Sequence, residues 1–230
     1  MARVVRHPIF ARLYAALSPR AEARGMGEQR AATVEGLSGR VLEVGAGTGL
    51  MFPHYPPAVT EVVAVEPEEY LRRRAAQAAA RAPVRVGVHR AVAERLPCRD
   101  AEFDAVVFAL VLCSVRDPAA ALAEARRVLA PGGELRFLEH VRPHGRWGAR
   151  VAGALDRSGA WPLLGGGCHL SRDTASAIRA AGFTIDEVDE VHPAGEPLPV
   201  PFIRGRALLR EREATANRSG ARSPLRPDHL

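Results

Sequence analysis

The segment Val41-Leu42-Glu43-Val44-Gly45-Ala46-Gly47-Thr48-Gly49 constrains the fold more than any other: an apolar run carries a carboxylate and opens onto three alternating glycines. Such a run followed by bare backbone is a strand entering a tight turn, and in an open α/β sheet the turn beyond the first strand is where a ligand is cradled. Only glycine lets main chain approach a ligand that closely. A dinucleotide fingerprint, G-x-G-x-x-G, requires a third glycine where this chain has Leu50.

The spacing therefore favours S-adenosylmethionine over a nicotinamide dinucleotide. A second strand-like run, Val62-Val63-Ala64-Val65-Glu66-Pro67, ends in an acid about 20 residues past the glycines, where a ribose hydroxyl pair is held. Glu66 is the expected ribose ligand, and a dipole-favoured acid at a helix start is a compatible second role. Further strands are expected at Val84–Val88, Phe103–Ala109 and Glu134–Glu139, with helices near Pro67–Ala80 and Pro118–Leu129. Alternation of this kind predicts a parallel sheet with right-handed crossovers. Two more apolar strands, Thr184–Val191 and Phe202–Leu209, follow a helix at about Ser171–Ala181 and close one edge.

The expected fold is therefore an α/β, Rossmann-like, doubly wound, seven-stranded and mostly parallel sheet with helices on both faces. One helix from about Pro8 to Glu35 forms an N-terminal lid (residues 1–38) ahead of the catalytic domain (39–210). The Gly/Arg/His-rich connection His144–Gly167, which holds Trp147 and Trp161, reads as a substrate-side insertion. Residues 211–230 are charged, small or proline and cannot bury enough surface to fold, so a disordered tail is expected there.

Composition narrows the partners. The net charge of +6 raises nucleic acid as a possibility, yet all 32 basic residues are arginine, dispersed and interleaved with acids. That pattern reads as a solvated surface, so no nucleic acid is expected. An RNA- or nucleic-acid-binding protein, or an RNA methyltransferase, is the alternative from another class, although Ala109-Leu110-Val111-Leu112 stands where an N-P-P-Y-type motif belongs. Cys98, Cys113 and Cys168 form no C-x-x-C pair, which suits a reducing cytoplasm. The N-terminus lacks a signal-peptide core, no run reaches membrane-span length, and no stable membrane insertion is expected. A small-molecule substrate and a monomer or homodimer complete the expectation.

Further motifs make the reading specific: Ala93-Glu94-Arg95-Leu96-Pro97, Phe103-Asp104-Ala105-Val106-Val107, Arg127-Val128-Leu129 and Pro131-Gly132-Gly133. Across about residues 40 to 141 the chain resembles class I S-adenosylmethionine-dependent methyltransferases of the ubiquinone-methyltransferase-like branch. The resemblance implies that Glu43, Gly45, Ala46, Gly47 and Gly49 hold the methionine portion, Glu66 and Pro67 the ribose side, and Ala93 and Glu94 the adenine edge. Ala109 and Leu110 would lie beside the sulfonium. Apart from the resemblance, Tyr14 and Phe10 in the N-terminal helix are read either as a lid over the cofactor or as the apolar stripe that docks that helix. Leu110-Val111-Leu112-Cys113-Ser114-Val115, Glu139-His140-Val141, Trp161-Pro162-Leu163-Leu164 and Gly167-Cys168-His169-Leu170-Ser171-Arg172 look like the microsomal methyltransferase-like family that includes the mammalian alkyl thiol methyltransferases. That likeness implies methylation of a small thiol on sulfur. O-, N- or C-methylation of a natural-product or quinone-like molecule is the alternative.

His140, at the end of the fifth strand, is the candidate base or thiol-orienting group, against a plain histidine bonded to Glu139 or to backbone. Phe10, Cys113, Ser114, Cys168 and Arg172 are the candidate acceptor-side residues. Each has an ordinary structural alternative, Cys113 as a small buried apolar group for example. No metal is expected: among His140, His144, Cys168 and His169, Pro143 interrupts any helical H-x-x-x-H and no second pair has ligand spacing.

Overall fold

Alternating apolar runs place seven strands in one sheet, with spatial order β3-β2-β1-β4-β5-β7-β6. The computed structural model describes residues 8–193 and 201–209. The strands are β1 (Gly39–Val44), β2 (Val59–Val65), β3 (Val86–His89), β4 (Phe103–Ala109), β5 (Leu129–His140), β6 (Phe183–Val191) and β7 (Phe202–Leu209). The helices are α1 (Pro8–Ala21), α2 (Gly27–Val34), α3 (Glu69–Ala79), α4 (Pro118–Val128), α5 (Arg146–Arg157), α6 (Ala160–Leu164) and α7 (Thr174–Ala180). Strands β1 to β5 pair in parallel, and β7 runs antiparallel to both β5 and β6.

Successive β1 side chains point to opposite faces. Leu42 and Val44 join Phe108, Leu135 and Phe137 under Leu122, Ala125 and Val128 of α4 and Ile178 of α7. Val41 joins Val62, Ala64, Ala105 and Val107 on the other face, under Val34 of α2 and Ala75 of α3. With both faces covered, the central strands can be continuously apolar, as parallel strands usually are. The buried polar residue of β1, Glu43, lies on the α2/α3 face next to the ligand end.

Several boundaries differ from the sequence expectation: β5 begins at Leu129 rather than Glu134, and α7 at Thr174 rather than Ser171. The long N-terminal helix is two helices, because Arg24 and Gly25 leave helical geometry and Gly25 takes a φ of 106°. Helix α3 begins at Glu69 rather than at Pro67, because Glu68 is its cap and its carboxylate accepts from the Leu71 amide. The His144–Gly167 connection contains two helices, α5 and α6, where the sequence reading assigns no element. Helix α4 keeps its expected start, capped by the Asp117 carboxylate on the Ala120 amide. The tail 211–230 and most of the proline-rich His192–Pro201 connection lie outside the described residues. Among the described residues no helix is long and apolar enough to cross a membrane.

Candidate active site

The glycine turn sits at the carboxyl ends of β1 and β2, where Gly45 and Ala46 donate their amides to the Val65 carbonyl at 2.8 and 3.0 Å. Gly45, Gly47 and Gly49 all have positive φ, at 74°, 57° and 84°. A Cβ on Gly45 would lie 2.5 Å from the Val111 side chain, and one on Gly49 would lie 2.7 Å from Phe52. Those two glycines are required by packing, whereas a Cβ on Gly47 would meet only the Tyr14 ring, at 3.4 Å. Gly47 is thus the position where bare backbone faces the space under α1.

Glu66 closes the turn. One carboxylate oxygen accepts from the Gly47 amide at 2.9 Å and the other from the Glu68 amide at 2.8 Å. Pro67 joins Glu66 to Glu68, and its carbonyl accepts from Arg72. Burial pushes the Glu66 carboxyl up to about 7, against the opposing pull of those two amides. Glu43 is buried one strand over and accepts from the Tyr55 hydroxyl at 2.9 Å. Burial raises it to about 8, partly offset by Tyr55 and by the charge of Arg30.

Tyr14 and Phe10 stack with ring centroids 5.7 Å apart on the inner side of α1. Tyr14 covers Gly47, while Phe10 lies so close to the Gly166 backbone that a Cβ there would approach its ring to 2.4 Å. One helix therefore spans from the glycine turn to the insertion.

Ala93 is buried, and the Glu94 carboxylate accepts from the Arg116 and Asp117 amides at 3.0 and 3.3 Å. Glu94 thereby holds the start of α4 in place. After β4, Ala109 is half-buried, and Leu110 adopts a positive φ of 63° with its amide donated to the Leu138 carbonyl. A non-glycine residue in that region is uncommon and marks a turn over-determined by its surroundings.

The determinant is Glu139. It is fully buried on β5, and its carboxylate accepts from the amides of Val111, Leu112 and Cys113 at 2.8, 2.8 and 3.2 Å. His140 is consequently not bonded to Glu139. Its Nδ1 lies 3.8 Å from Cys168 Sγ, and its ring rests on Phe202 with centroids 4.3 Å apart. Ser114 lies beside Cys113, 3.4 Å between Oγ and Sγ. Arg172 donates to the Leu112 carbonyl. His140, Cys113, Ser114, Cys168 and Arg172 thus converge around one turn. Asp104, at the opposite end of β4, accepts from the Arg40 amide, in keeping with a structural role.

His140, His144, Cys168 and His169 do not assemble as a group. His144 pairs with Glu190 at 2.7 Å and His169 bonds the Gly167 carbonyl, leaving Cys113 as the third neighbour of His140 and Cys168. Arg30 is a site residue that the sequence does not mark. It is buried on α2, bonds Glu22 and directs positive charge toward Glu43 and Tyr14. A helix position four residues before the last apolar residue of α2 offers no local signal for that role. A cavity of about 680 Å³ lies elsewhere, between Val141–Arg146, Asp173 and Glu190, and carries none of this chemistry.

The residues fit a sulfonium nucleoside. Thr48 Oγ1 is buried in the turn with no hydrogen-bond partner among the described residues, and the atoms nearest a Cβ at Gly47 belong to the Tyr14 ring. Glu66 offers acceptor lone pairs to vicinal hydroxyls, and Glu43 offers a carboxyl whose ionised form an incoming ammonium group would favour.

Comparison with known proteins agrees. Residues 42–137 match the family model described as a methyltransferase domain. The chain is 33% identical to the thiol S-methyltransferase TMT1B of Homo sapiens over 211 residues, covering 86% of this chain and 85% of that one. It is 36% identical to the thiol S-methyltransferase TMT1A of Homo sapiens over 182 residues, covering 75% and 72%. Among solved structures, a SAM-dependent methyltransferase from Thermotoga maritima, described as a possible histamine N-methyltransferase, superposes with a TM-score of 0.61 at 25% identity, over 86% of this chain and 97% of that one. The YcgJ protein from Bacillus subtilis shares the fold with a TM-score of 0.65 at 17% identity, over 81% and 100%.

Proposed function

The chain belongs to the methyltransferase family that includes the thiol S-methyltransferases, and from that membership we propose that it methylates a small, largely apolar thiol on sulfur. The observation that carries this reading is the likeness to a thiol S-methyltransferase across more than four fifths of both chains. S-adenosylmethionine is the methyl donor, and when bound it supplies a methyl group already activated as a sulfonium.

The chain's own task is then to place the acceptor sulfur, keep it partly dry and support its thiolate form. Gly47 and Glu66 hold the nucleoside side, with Glu43 and Arg30 setting the charge around the amino-acid portion. Tyr14 and Phe10 act as a lid over both halves of the site. Leu110, in its left-handed turn, brings Val111 to Ser114 alongside the ligand end of β4, and Glu139 fixes that turn by holding three of its amides. His140 orients the acceptor thiol from the end of β5, with Arg172 adding positive potential. Little acid–base machinery is needed, since a free thiol with pKa near 8.5 is already a few per cent ionised at neutral pH. We place the reaction in the cytoplasm, where Cys98, Cys113 and Cys168, all free, stay reduced.

The test is a panel of alkyl thiols, phenols and amines assayed with methyl-labelled donor. Thiols should turn over fastest, and His140→Ala should lower turnover while leaving the affinity for the demethylated product nearly unchanged. Turnover of a phenol or amine with no thiol methylated would refute the sulfur assignment.

A further inference from the structure

Three segments far apart in the chain bring Cys113, His140 and Cys168 together: the turn after β4, the last residue of β5 and the loop ahead of α7. Their two Sγ atoms and a ring nitrogen lie within 4.8 Å of one another, and the Cys168 Sγ to His140 Nδ1 distance is 3.8 Å. Tetrahedral zinc, with bonds of about 2.3 Å to sulfur and about 2.0–2.1 Å to nitrogen, sets ligand-to-ligand edges of roughly 3.5–3.8 Å. A small contraction of the triangle satisfies that geometry. The donor set, two thiolates and an imidazole, is the one that a borderline-soft cation prefers.

We propose that Cys113, His140 and Cys168 form a three-ligand site for zinc whose open fourth position takes the sulfur of the acceptor thiol. Among the described residues no fourth histidine, cysteine or carboxylate joins the group, which is the arrangement of a zinc site that keeps a position for substrate.

The surroundings are those of a supported metal site. The Cys113 amide is held by Glu139 and its carbonyl by the His169 amide, so its side chain is fixed in direction. Cys113, Cys168, Ala152 and Leu170 form a buried cluster with Trp161 packed against it, and the indole Nε1 of Trp161 is buried without an acceptor. Charge also favours a cation. Two thiolates beside Glu139, with Arg172 and His140 as the neighbouring positive groups, would leave the buried cluster short of positive charge. A dication lets both thiols ionise and brings the cluster close to neutrality.

The reaction role rests on the proposed thiol acceptor, whereas the metal site does not. An incoming R–SH gives its proton to solvent as a sulfur–zinc bond forms. A sulfur lone pair then forms the new C–S bond while the C–S bond of the sulfonium breaks and its electron pair stays on the departing sulfur. The product thioether is neutral, a weaker ligand, and leaves the open position. His140 thus holds the acceptor through the metal and is not a free base.

The experiment uses the full chain, reduced and stripped with a chelator under anaerobic conditions, titrated with cobalt(II) as the optical probe. One equivalent should develop tetrahedral visible bands with thiolate-to-cobalt charge transfer, and zinc should abolish them. Cys113→Ser/Cys168→Ser should lose the charge transfer while still binding the demethylated cofactor product, which certifies its fold. Should that variant fail to fold, alkylation of the native chain decides instead: zinc should protect Cys113 and Cys168 from iodoacetamide, as read by mass spectrometry. Absence of stoichiometric charge transfer, its persistence in the double variant, or alkylation indifferent to zinc would overturn the site. Thiol methylation at full rate in stripped protein would overturn its role in the reaction and leave the proposed function standing. A cobalt spectrum with no thiol turnover would do the reverse.

Discussion

Glu43 is a carboxylate where an apolar residue would pack, and the cost of keeping it there depends on pH. Its usual value of 4.5 rises to about 8 in the fold, because burial outweighs the Tyr55 hydrogen bond and the Arg30 charge, with Glu66 adding to the rise. A group whose folded value is raised binds its proton more tightly when native, so its contribution to stability is complete below pH 4.5 and is lost as pH climbs toward 8. Glu66 and Glu139 act in the same direction up to about pH 7. Glu43→Gln keeps an oxygen to accept from Tyr55 and removes one of these three slopes. The variant should therefore match the parent near pH 4.5 and exceed it near pH 8 by up to a few kcal/mol, since each tenfold change in proton affinity on folding is worth about 1.4 kcal/mol. Urea midpoints at both pH values read this out. A difference between variant and parent that stays constant with pH would mean that Glu43 is already ionised in the native protein.

The turn between β4 and α4 shows how one side chain can specify an element. Val111 and Leu112 donate to one oxygen of Glu139 and Cys113 to the other. Glutamine could satisfy the first pair, but its NH2 would then face the Cys113 amide, donor against donor. Glu139→Gln should cost about 1–3 kcal/mol of stability and displace Cys113, with thiol turnover falling more than cofactor affinity. Thermal unfolding and binding of the demethylated product, measured side by side, check both halves. This arrangement was not legible in the sequence, where Glu139 is simply the residue before a candidate histidine. The strands and the glycine turn were legible, because apolar runs and the Gly47 to Glu66 spacing are local signals that a parallel sheet turns directly into geometry. The break between α1 and α2 was hidden by helix-forming residues on both sides of Gly25. Helices α5 and α6 were masked by the glycine and proline around them, although Trp147, Val151 and Leu155 repeat at helical spacing. The grouping of Cys113, His140 and Cys168 depends on which strands become neighbours, and no spacing along the chain encodes that.

At the scale of the whole molecule, the sheet is a rigid platform and α1 the piece laid across its ligand end. The core strands bury nearly every large side chain, whereas Ile9, Leu13 and Leu17 of α1 point outward and stay exposed. Its inner contacts are few, and two of them are Tyr14 on Gly47 and Phe10 on Gly166. An element with a narrow buried face belongs to the low-stability end of a fold and opens locally well before global unfolding. Because its two aromatic anchors sit on opposite halves of the site, a ligand in the glycine turn adds contact to one and thereby restrains the other. Backbone amide exchange should therefore slow across residues 8–21 and 45–49 when the demethylated cofactor product is added, with β4 and β5 unchanged. Tyr14→Ala should weaken that product by roughly 0.5–1.5 kcal/mol, the worth of an aromatic contact beyond its buried area, and should cancel the protection of residues 8–21. Protection that survives Tyr14→Ala would locate the coupling elsewhere in α1, and exchange unaffected by ligand would mean that the helix is a fixed wall of the site.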